Sequence, residues 1–378
     1  MWPNLQWETI IIMGDGLQTP NEFNTVIDGN GATAINITDI ASPVRVDSFW
    51  IQNGRSIMGG AIAINRSAPT IANCGMSVNA AWDQITGQVY GAAVSNMDSS
   101  TKIINCHFLA NESNGDGGAI ANFNSNLEIT RSIFDRNTAA NDGGATYNVD
   151  SNAVIKNSVF YNNRANIYGG RGGAIFNDNS TVKIVNRTFY GNPAGQAGGA
   201  ISSYGSPQPI NITNSILWGD SAPTGPEIFD FVSTTLVVYS NVMGGYNGEG
   251  NINQDPKFVD TINRDLNLMR DSKCIDSGHS EGAPEFDIGG KFRWDDPWSP
   301  NSGGGVPGFY DMGAYEYHPA CFGDLNRDGD VDGDDLGFFE WANSNGDGRG
   351  DLNSDGLHNW IDVEMMAIEY GTINCNPN

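Results

Sequence analysis

One unit of 26 to 32 residues recurs along most of the first two thirds of the chain. The glycine that opens its small-residue stretch recurs at steps of 32, 26, 26, 29 and 26 residues, at Gly59, Gly91, Gly117, Gly143, Gly172 and Gly198. Four more columns keep this register: Ile71, Ile103, Ile129, Ile155 and Ile184; Met76, Phe108, Phe134, Phe160 and Phe189; Asn79, Asn111, Asn137, Asn163 and Asn192; and Ser67, Ser99, Ser125, Ser151, Ser180 and Ser206. Such columns indicate a repeat architecture rather than biased composition.

Each unit is too broken for helices and too small to fold alone. Its apolar pieces are four to seven residues long and separated by Asn and Gly, which is typical of short strands. Such a unit buries its apolar side only by stacking on its neighbours, so we expect parallel strand pairing about 4.8 Å apart. Ile103, Cys106 and Phe108 should point inward, with a corner near Asn105. The Asn and Ser columns should form hydrogen-bonded ladders.

The repeat therefore predicts an all-β fold, a parallel β-helix (solenoid), over residues 1–246. The string I-x-N-C/S-x-F-x-x-N followed by G-G-A-I resembles the right-handed parallel β-helix repeats of bacterial surface and secreted proteins, over residues 24–245. The resemblance implies a right-handed coil and a location outside the cell or at its surface. It implies no particular activity, because one fold carries many functions.

The charge of the chain restricts its partners. Its 44 acidic and 19 basic residues give a formal net charge of −25, which argues against nucleic acid, since nucleic-acid binding relies on clustered Lys and Arg. The same charge argues against anionic membrane surfaces and favours a protein that holds cations. No apolar run approaches the roughly 18 residues of a membrane span. No signal peptide is visible after Met1, so we expect a mature or truncated form of a secreted protein.

Residues 247–319 carry three short strings in a fixed order. They are G-E-G-N-I-N-Q-D-P-K-F-V-D from Gly248 to Asp260, C-I-D-S-G from Cys274 to Gly278, and D-M-G-A-Y-E from Asp311 to Glu316. This order resembles the choice-of-anchor segment that commonly follows such β-helices. The predicted role of this segment is to cap the open end of the coil stack; a catalytic role is the alternative.

The last segment, residues 320–378, contains two copies of a calcium-loop pattern. Asp324 to Asp335 reads D-L-N-R-D-G-D-V-D-G-D-D, and Asp351 to Asp362 reads D-L-N-S-D-G-L-H-N-W-I-D. Both place oxygen donors at loop positions 1, 3, 5, 9 and 12 and Gly at position 6, as calcium loops do. The predicted ligands are Asp324, Asn326, Asp328, Asp330, Asp332 and Asp335, and then Asp351, Asn353, Asp355, Leu357, Asn359 and Asp362. Two Ca²⁺ ions are the predicted cofactors; an acidic disordered tail is the alternative.

A helical stripe follows each loop, and the two copies lie 27 residues apart. This arrangement resembles a type I dockerin, a small α-helical module, and implies a cohesin-like or cell-surface partner. Cellulosomal dockerins commonly bind cohesin through a Ser/Thr pair at loop positions 10 and 11. This chain has Gly333-Asp334 and Trp360-Ile361 there, a departure that affects the expectation of cohesin binding but not that of calcium binding.

Two of the five cysteines, Cys321 and Cys375, bracket this segment. A disulfide between them would join its two ends in an oxidising compartment; two free thiols are the alternative. Cys74 and Cys106 fall in one inward column, where we expect plain buried thiols. The sequence shows no Cys/His spacing typical of zinc sites.

Two functions of different classes are open for the whole chain. The first is an extracellular calcium-binding β-helix protein that engages polysaccharide and is attached through its dockerin-like tail. The second is a polysaccharide-degrading enzyme, a lyase or glycoside hydrolase, with a carboxylate-lined cleft on one turn of the helix. Many secreted β-helices resembling this one act on polysaccharides, but the sequence lacks the motifs of polygalacturonases, pectate lyases and serine hydrolases. We favour the first.

One column of aromatic residues suggests a surface for sugar binding. Six residues past the opening apolar position, successive units place Tyr161, Tyr190 and Trp218. Rings stacked about 5 Å apart along a coil form a face against which sugar rings can pack. The alternative is that a neighbouring loop covers them.

The step lengths predict a cleft. The longer steps insert six residues between Asn79 and Gly91 and three between Asn163 and Gly172, and insertions in solenoids collect on the working face. We expect two walls about 15 Å apart, from three coil rises. The floor carries the candidate catalytic residues Asp116, Asp142 and Arg171, with Asp135 and Arg136 at its edge and Trp82, Tyr90 and Tyr168 on the walls. Two carboxylates about 5 Å apart are what retaining glycosidases use; a bound cation or two solvated acids are the alternatives.

Overall fold

The computed structural model describes residues 10–13, 25–83, 88–166, 168–326, 328, 330–353, 356–372 and 375. Its larger part is a parallel β-solenoid of about eight turns, as the repeat predicts. Each turn contributes short strands to parallel sheets, named A to D here in the order in which the chain visits them after each Gly-Gly pair. Among the described helices, none has the length and apolarity that a membrane crossing needs.

Sheets A and B contain the longer strands. Sheet A consists of Ile35–Thr38, Ile62–Asn65, Val94–Met97, Ile120–Phe123, Thr146–Val149, Ile175–Asp178, Ile201–Tyr204 and Ile228–Phe231. Sheet B consists of Ile10–Met13, Val44–Asp47, Pro69–Ala72, Ser100–Ile104, Asn126–Thr130, Ile210–Thr213 and Thr235–Val238, together with the first halves of Asn152–Tyr161 and Thr181–Tyr190.

Sheets C and D complete each turn. Sheet C consists of Val26–Asp28, Trp50–Gln52, Gly75–Ser77, His107–Leu109, Ile133–Asp135, Ile216–Trp218 and Asn241–Val242, with the second halves of the two long strands. Sheet D consists of Arg55–Ser56, Ala80–Ala81, Glu112–Ser113, Thr138–Ala139 and Arg164–Ala165. The two long strands run through the corner between sheets B and C, so these sheets are continuous there.

The inward columns form the core that the sequence predicts. Ile103, Cys106 and Phe108 are all buried, and Ile103 pairs in register with Ile129 of the next turn. The phenylalanine column is a continuous stack, with ring centroids 4.6 Å apart between Phe108 and Phe134 and nearly parallel planes. Stacking like residues in register lets each turn bury the apolar face of the one before it.

Buried asparagines link the turns as a ladder. The Nδ2 of Asn111 donates to Oδ1 of Asn137 at 2.9 Å and to the backbone oxygen of Met76 at 2.9 Å. The corner at Asn105 has φ of 53°, a left-handed conformation that Asn tolerates well. At the opposite turn, a Cβ on Gly118 would lie 2.1 Å from the backbone oxygen of Gly144, so this position requires glycine.

Residues 247–319, named the flanking segment here, do more than cap the coil. Only the residues near Ile252 extend the stack, where the Ile252 backbone N–H donates to Ser240. The rest runs back along the outside of sheet C, and Asn157 and Asn186 donate to its backbone at Phe286 and Asp311. It contains the antiparallel hairpin Phe258–Asp260 and Asp265–Leu268. The expectation of a simple end cap was therefore incomplete, because side chains on the outer wall of the solenoid supply a second apolar surface.

The C-terminal module, residues 320–378, contains two short α-helices. They are α1, Gly333–Asn345, and α2, Trp360–Glu369, with a 3₁₀ turn at Gly348–Gly350 between them. Its small core gathers Leu325, Val331, Phe339, Leu352 and Met366. Cys321 and Cys375 form the disulfide that their bracketing positions suggest, while Cys74 and Cys106 are buried free thiols.

Candidate functional site

The first acidic loop of the C-terminal module brings carboxylates together. Ligand atoms of Asp324, Asp328 and Asp335 lie within 4.8 Å of one another, and so do those of Asp330, Asp332 and Asp335. Burial and the neighbouring charges of Asp328 and Asp332 raise the pKa of Asp330. The loop therefore concentrates negative charge around Asp335, the residue at loop position 12.

Asp335 is fully buried and organises the loop from the first turn of α1. Its Oδ1 accepts from the backbone N–H of Asn326 at 2.9 Å, and its Oδ2 accepts from that of Asp332 at 3.0 Å. Asp332 in turn caps α1 by accepting from the Asp334 N–H at 2.8 Å, the arrangement of a capping box. Helix and loop thus share their hydrogen bonds, so forming one helps to form the other.

The second loop repeats this plan. Asp362 is fully buried; its Oδ1 accepts from the Leu352 N–H at 2.8 Å and its Oδ2 from the Asn359 N–H at 2.8 Å. Asn359 caps α2 through the Ile361 N–H, and Asp351 accepts from Gly356. Leu357 and Asn353 lie on the same loop, and Asp355 lies outside the described residues. At loop positions 1, 3, 5, 9 and 12, both copies have Asp or Asn. The side-chain oxygens of these residues are ligands that suit Ca²⁺.

The residues that precede the glycine turns form a second cluster. The backbone N–H of Asp142 donates to Oδ1 of Asp116 at 2.9 Å, so the two acids are stacked on successive turns as expected. Arg171 follows on the next turn, and its Nε and Nη2 donate to the two oxygens of Asp142 at 3.1 and 2.5 Å. Asp142 is also nearly inaccessible. The alternative of two solvated acids is therefore wrong for this turn, because Asp142 is buried and neutralised by Arg171.

Asp116 differs from Asp142 in its protonation. Burial raises the pKa of Asp116 to about 6, and the hydrogen bond from the Asp142 backbone N–H opposes that rise. The ordinary pKa of an Asp side chain is 3.8. Because the pKa of Asp116 is about 6 instead, a fraction of its carboxyl groups is protonated near neutral pH. The turn thus combines one carboxyl group that titrates near neutrality with one ion pair.

Beside these residues lies a surface that sequence reasoning missed. An aromatic row runs along the outer face of sheet A and consists of Phe123, Tyr147, Phe176 and Tyr204 from its strands and Tyr90 from the turn before Val94–Met97. Its successive ring centroids lie 4.8 to 5.8 Å apart. Arg171 is held between two of these rings, 4.6 Å from the Phe176 centroid and 4.4 Å from that of Tyr204. Burial, with the charges of Asp116 and Asp142, raises the pKa of Tyr147. The sequence signal is the alternation within the later strands of sheet A, where Phe123, Tyr147, Phe176 and Tyr204 occupy positions that alternate with the inward residues.

The two insertions supply exposed aromatic residues. Trp82 is 40% exposed and packs under Arg55, whose guanidinium carbon lies 5.1 Å from the indole centroid. Tyr168 is 90% exposed. Residues 84–87 and 167 of the insertions lie outside the described residues. The predicted walls therefore have exposed rings at their described ends, and the spacing between the walls stays a prediction.

The aromatic column on sheet C is stacked but covered. Tyr161 and Tyr190 have centroids 5.9 Å apart and nearly parallel rings. However, Tyr161 is buried and donates its hydroxyl to the Thr261 backbone oxygen at 2.7 Å, and Tyr190 packs edge-on against Phe258. Trp218 belongs to the same apolar cluster with the flanking segment. The idea that this column is an open sugar platform is corrected, because the flanking segment uses it as a docking surface.

Asp135 and Arg136 also serve this contact. The carboxylate of Asp135 is buried and pairs with Arg136 at 3.1 Å and with Arg264 of the flanking segment at 3.0 Å. Sequence reasoning placed both residues at the edge of the cleft floor. The structure instead places Asp135 at the contact between sheet C and the flanking segment, because the outward residues of this strand face that segment.

Comparison with known proteins adds no family. No protein-family model matches the chain. No curated protein sequence matches it either. The fold and the clusters described above therefore carry the functional argument.

Proposed function

We propose that this protein is an extracellular polysaccharide-binding β-helix whose C-terminal module is organised by two calcium ions. Two features support the proposal. The C-terminal module brings acidic loop residues within 4.8 Å of one another, and the outer face of sheet A lines up an aromatic row beside Asp116 and Arg171. The observation that carries the polysaccharide part is this row, which sequence reasoning did not anticipate.

The calcium argument rests on charge and on shared hydrogen bonds. Residues 321–378 contain 13 acidic and two basic residues, a net charge of −11, and the carboxylates of the first loop converge on Asp335. Without a cation, these charges repel one another at short range. A bound Ca²⁺ would be ligated by the loop oxygens and would stabilise the helices that begin at the same residues.

Calorimetry on the full chain tests the calcium sites. We expect two Ca²⁺ ions per chain in this module, one fewer for Asp328→Ala and one fewer for Asp351→Ala. The matched control is Asp347→Ala, which removes an acid between the loops that is paired with Arg349 and should leave both sites. Equal stoichiometry in all four proteins would contradict the assignment of these loops.

The polysaccharide argument rests on the shape and charge of the aromatic row. The rings of Tyr90, Phe123, Tyr147 and Tyr204 are partly exposed, whereas that of Phe176 is buried. Partly exposed rings on successive turns lie at intervals that suit consecutive sugars, whose C–H groups pack on aromatic rings. Arg171, Asp116 and Asp142 supply hydrogen-bonding groups beside the rings. Arg171 is already neutralised by Asp142, and Asp178 lies exposed on the same face. The local charge therefore favours a neutral polysaccharide over an anionic one.

Binding measurements separate these possibilities. We expect the protein to be retarded in affinity electrophoresis by at least one neutral polysaccharide such as xylan, mannan or β-glucan, and less by polygalacturonate or alginate. Tyr147→Ala and Arg171→Ala should weaken binding about tenfold, while Trp360→Ala, an exposed aromatic residue on α2, should not. Retention by no polysaccharide, or equal retention of all variants, would overturn the proposal.

An enzyme is the second candidate, and Asp116 is the residue that favours it. A carboxyl group with a pKa of about 6 suits a general acid. A retaining hydrolase also needs an ionised nucleophile, but both oxygens of Asp142 are bonded to Arg171. Binding therefore fits better than hydrolysis. Release of reducing ends or unsaturated products, abolished by Asp116→Asn, would establish the enzyme instead.

A further inference from the structure

The C-terminal module is packed against the flanking segment through a shared aromatic contact. The guanidinium carbon of Arg349, in the 3₁₀ turn between the two loops, lies 4.7 Å from the ring centroid of Trp298 in the flanking segment. It also lies 4.6 Å from the Phe338 ring and 5.7 Å from the Trp341 ring, both on α1. A carboxylate oxygen of Asp347 lies 2.7 Å from its Nη2 and fixes its position. One cation thus attracts rings from both parts of the chain.

A second contact leads directly to the second calcium loop. The indole Nε1 of Trp294, which is buried in the flanking segment, donates to the backbone oxygen of Leu352 at 3.4 Å. The backbone N–H of Leu352 donates in turn to Asp362, the residue at loop position 12, at 2.8 Å. Leu352 is therefore bonded to the flanking segment through its oxygen and to a predicted calcium ligand through its nitrogen.

The boundary between the two parts includes residues of both calcium loops. A small cavity of about 30 Å³ at this boundary is lined by Trp294 and Trp298 from the flanking segment. From the module it is lined by Asp324 and Asp351, which stand at position 1 of the first and second loops. An adjoining cavity of about 380 Å³ is lined by Asp351 as well. The surface that the module presents to the flanking segment is thus built partly from the loops themselves.

We propose that calcium binding by the two loops and docking of the C-terminal module on the flanking segment are one coupled equilibrium, so that removal of calcium releases the module. This inference rests on the calcium sites of the proposed function. Phe338 and Trp341 belong to α1, and Leu352 belongs to the second loop. Because helices and loops share their hydrogen bonds, these contacts form only in the folded module, which calcium stabilises.

The coupling acts in both directions. Docking adds stability only to the folded, calcium-loaded module, so it must also raise the affinity of the loops for calcium. Couplings of this kind typically change an affinity by about 5- to 150-fold. The flanking segment itself packs along sheet C, so docking fixes the module relative to the solenoid. Release leaves the module joined to the rest of the protein through the backbone near Pro319.

The test measures calcium binding by the full chain after a change in the flanking half of the contact. Trp298 is 39% exposed and lies outside both loops, so Trp298→Ala alters no predicted calcium ligand. We expect calorimetry to show two bound Ca²⁺ ions with about a tenfold loss of affinity. Trp298→Phe keeps a ring beside Arg349 and should lose less. The matched control is Phe286→Ala, a similarly exposed aromatic residue of the same segment that lies beside sheet C, and it should keep the parent affinity.

Amide hydrogen exchange in the parent protein follows the release itself and needs no variant. With a chelator, residues 294–300 should exchange faster because they lose the docked module, whereas the hairpin strands Phe258–Asp260 and Asp265–Leu268 should not change. If Trp298→Ala binds two calcium ions with the parent affinity, or if a chelator leaves exchange in residues 294–300 unchanged, the coupling is wrong and the calcium sites stand. Absence of bound calcium in the parent would overturn both this inference and the calcium part of the proposed function.

Discussion

Asp220 ends the buried asparagine ladder and accepts from Asn192 twice, from the backbone N–H at 2.7 Å and from Nδ2 at 2.6 Å. The carboxyl group of Glu227 lies against it, and both residues are buried. Burial and then the charge of Asp220 raise the pKa of Glu227 to about 11. At the end of the ladder, the carboxyl group of Glu227 thus stays protonated beside Asp220 at neutral pH. The earlier turns have an asparagine amide in place of Asp220.

This pair makes stability depend on pH in a defined direction. The pKa of Glu227 lies above its ordinary value of 4.5 in the folded state, so its stabilising proton is fully retained below about pH 4.5, and its contribution falls as pH rises towards 11. Glu227→Gln should remove this decline: urea unfolding should give similar free energies for variant and parent near pH 4 and a relative gain for the variant at pH 8 to 9. Parallel pH profiles would show that the pair does not share a proton.

Arg187 is a buried charge without a described partner. It occupies the inward column that holds Ser158 and Ser215 on the adjacent turns, and its three guanidinium nitrogens have no hydrogen-bond partner among the described residues. Burial alone lowers its pKa. Arg187→Met keeps a long unbranched stem and removes the charge, so it should stabilise the solenoid by about 1–4 kcal/mol in urea unfolding.

The control for this change is Arg131→Met at the same corner two turns earlier, where the side chain is only partly buried and the effect should stay within about 0.5 kcal/mol. If Arg187→Met is instead destabilising, an anion or ordered water inside the solenoid partners the guanidinium.

The asparagine ladder should dominate the stability of the middle turns. Asn137 donates from Nδ2 to the Phe108 backbone oxygen at 3.0 Å and to Asn163 at 2.9 Å, and it accepts from Asn111. Asn137→Ala leaves these buried partners unsatisfied and should cost about 2–4 kcal/mol. Asn126→Ala is the matched control, since Asn126 makes similar ladder bonds on the exposed surface and should change stability by less than about 0.5 kcal/mol. Equal losses of stability in the two variants would mean that burial does not determine how much these hydrogen bonds stabilise the solenoid.

The disulfide should matter to the C-terminal module alone. Cys321 and Cys375 are 54 residues apart, and closing a loop of that length lowers the entropy of the unfolded chain by an amount worth about 4 kcal/mol. Replacing both cysteines by serine should make the helical signal of the module more sensitive to denaturant and to calcium removal, while the main β transition stays unchanged. A shift of the β transition of similar size would contradict this independence.

The sequence by itself determined the solenoid. Its columns recur because each turn must present the same side chain to the turn above it, so the inward residues, the Asn ladder and the corner at Asn105 could all be read from spacing. The calcium-loop pattern was readable for a related reason: a short loop around one ion fixes the order of its oxygen donors along the chain, and the capping bonds of Asp335 and Asp362 are equally local.

Only the tertiary structure decided which outer surfaces are open. Tyr161 and Trp218 follow the same period as an exposed column would, but residues of the flanking segment pack on them, and the one that Tyr161 bonds lies 100 positions later in the chain. Likewise, Asp276 meets Asp311 through a contact between segments 35 residues apart in the non-repeating part of the chain. A repeat specifies the contacts between neighbouring turns, whereas the burial of an outward side chain depends on where a distant, non-repeating segment finds apolar surface.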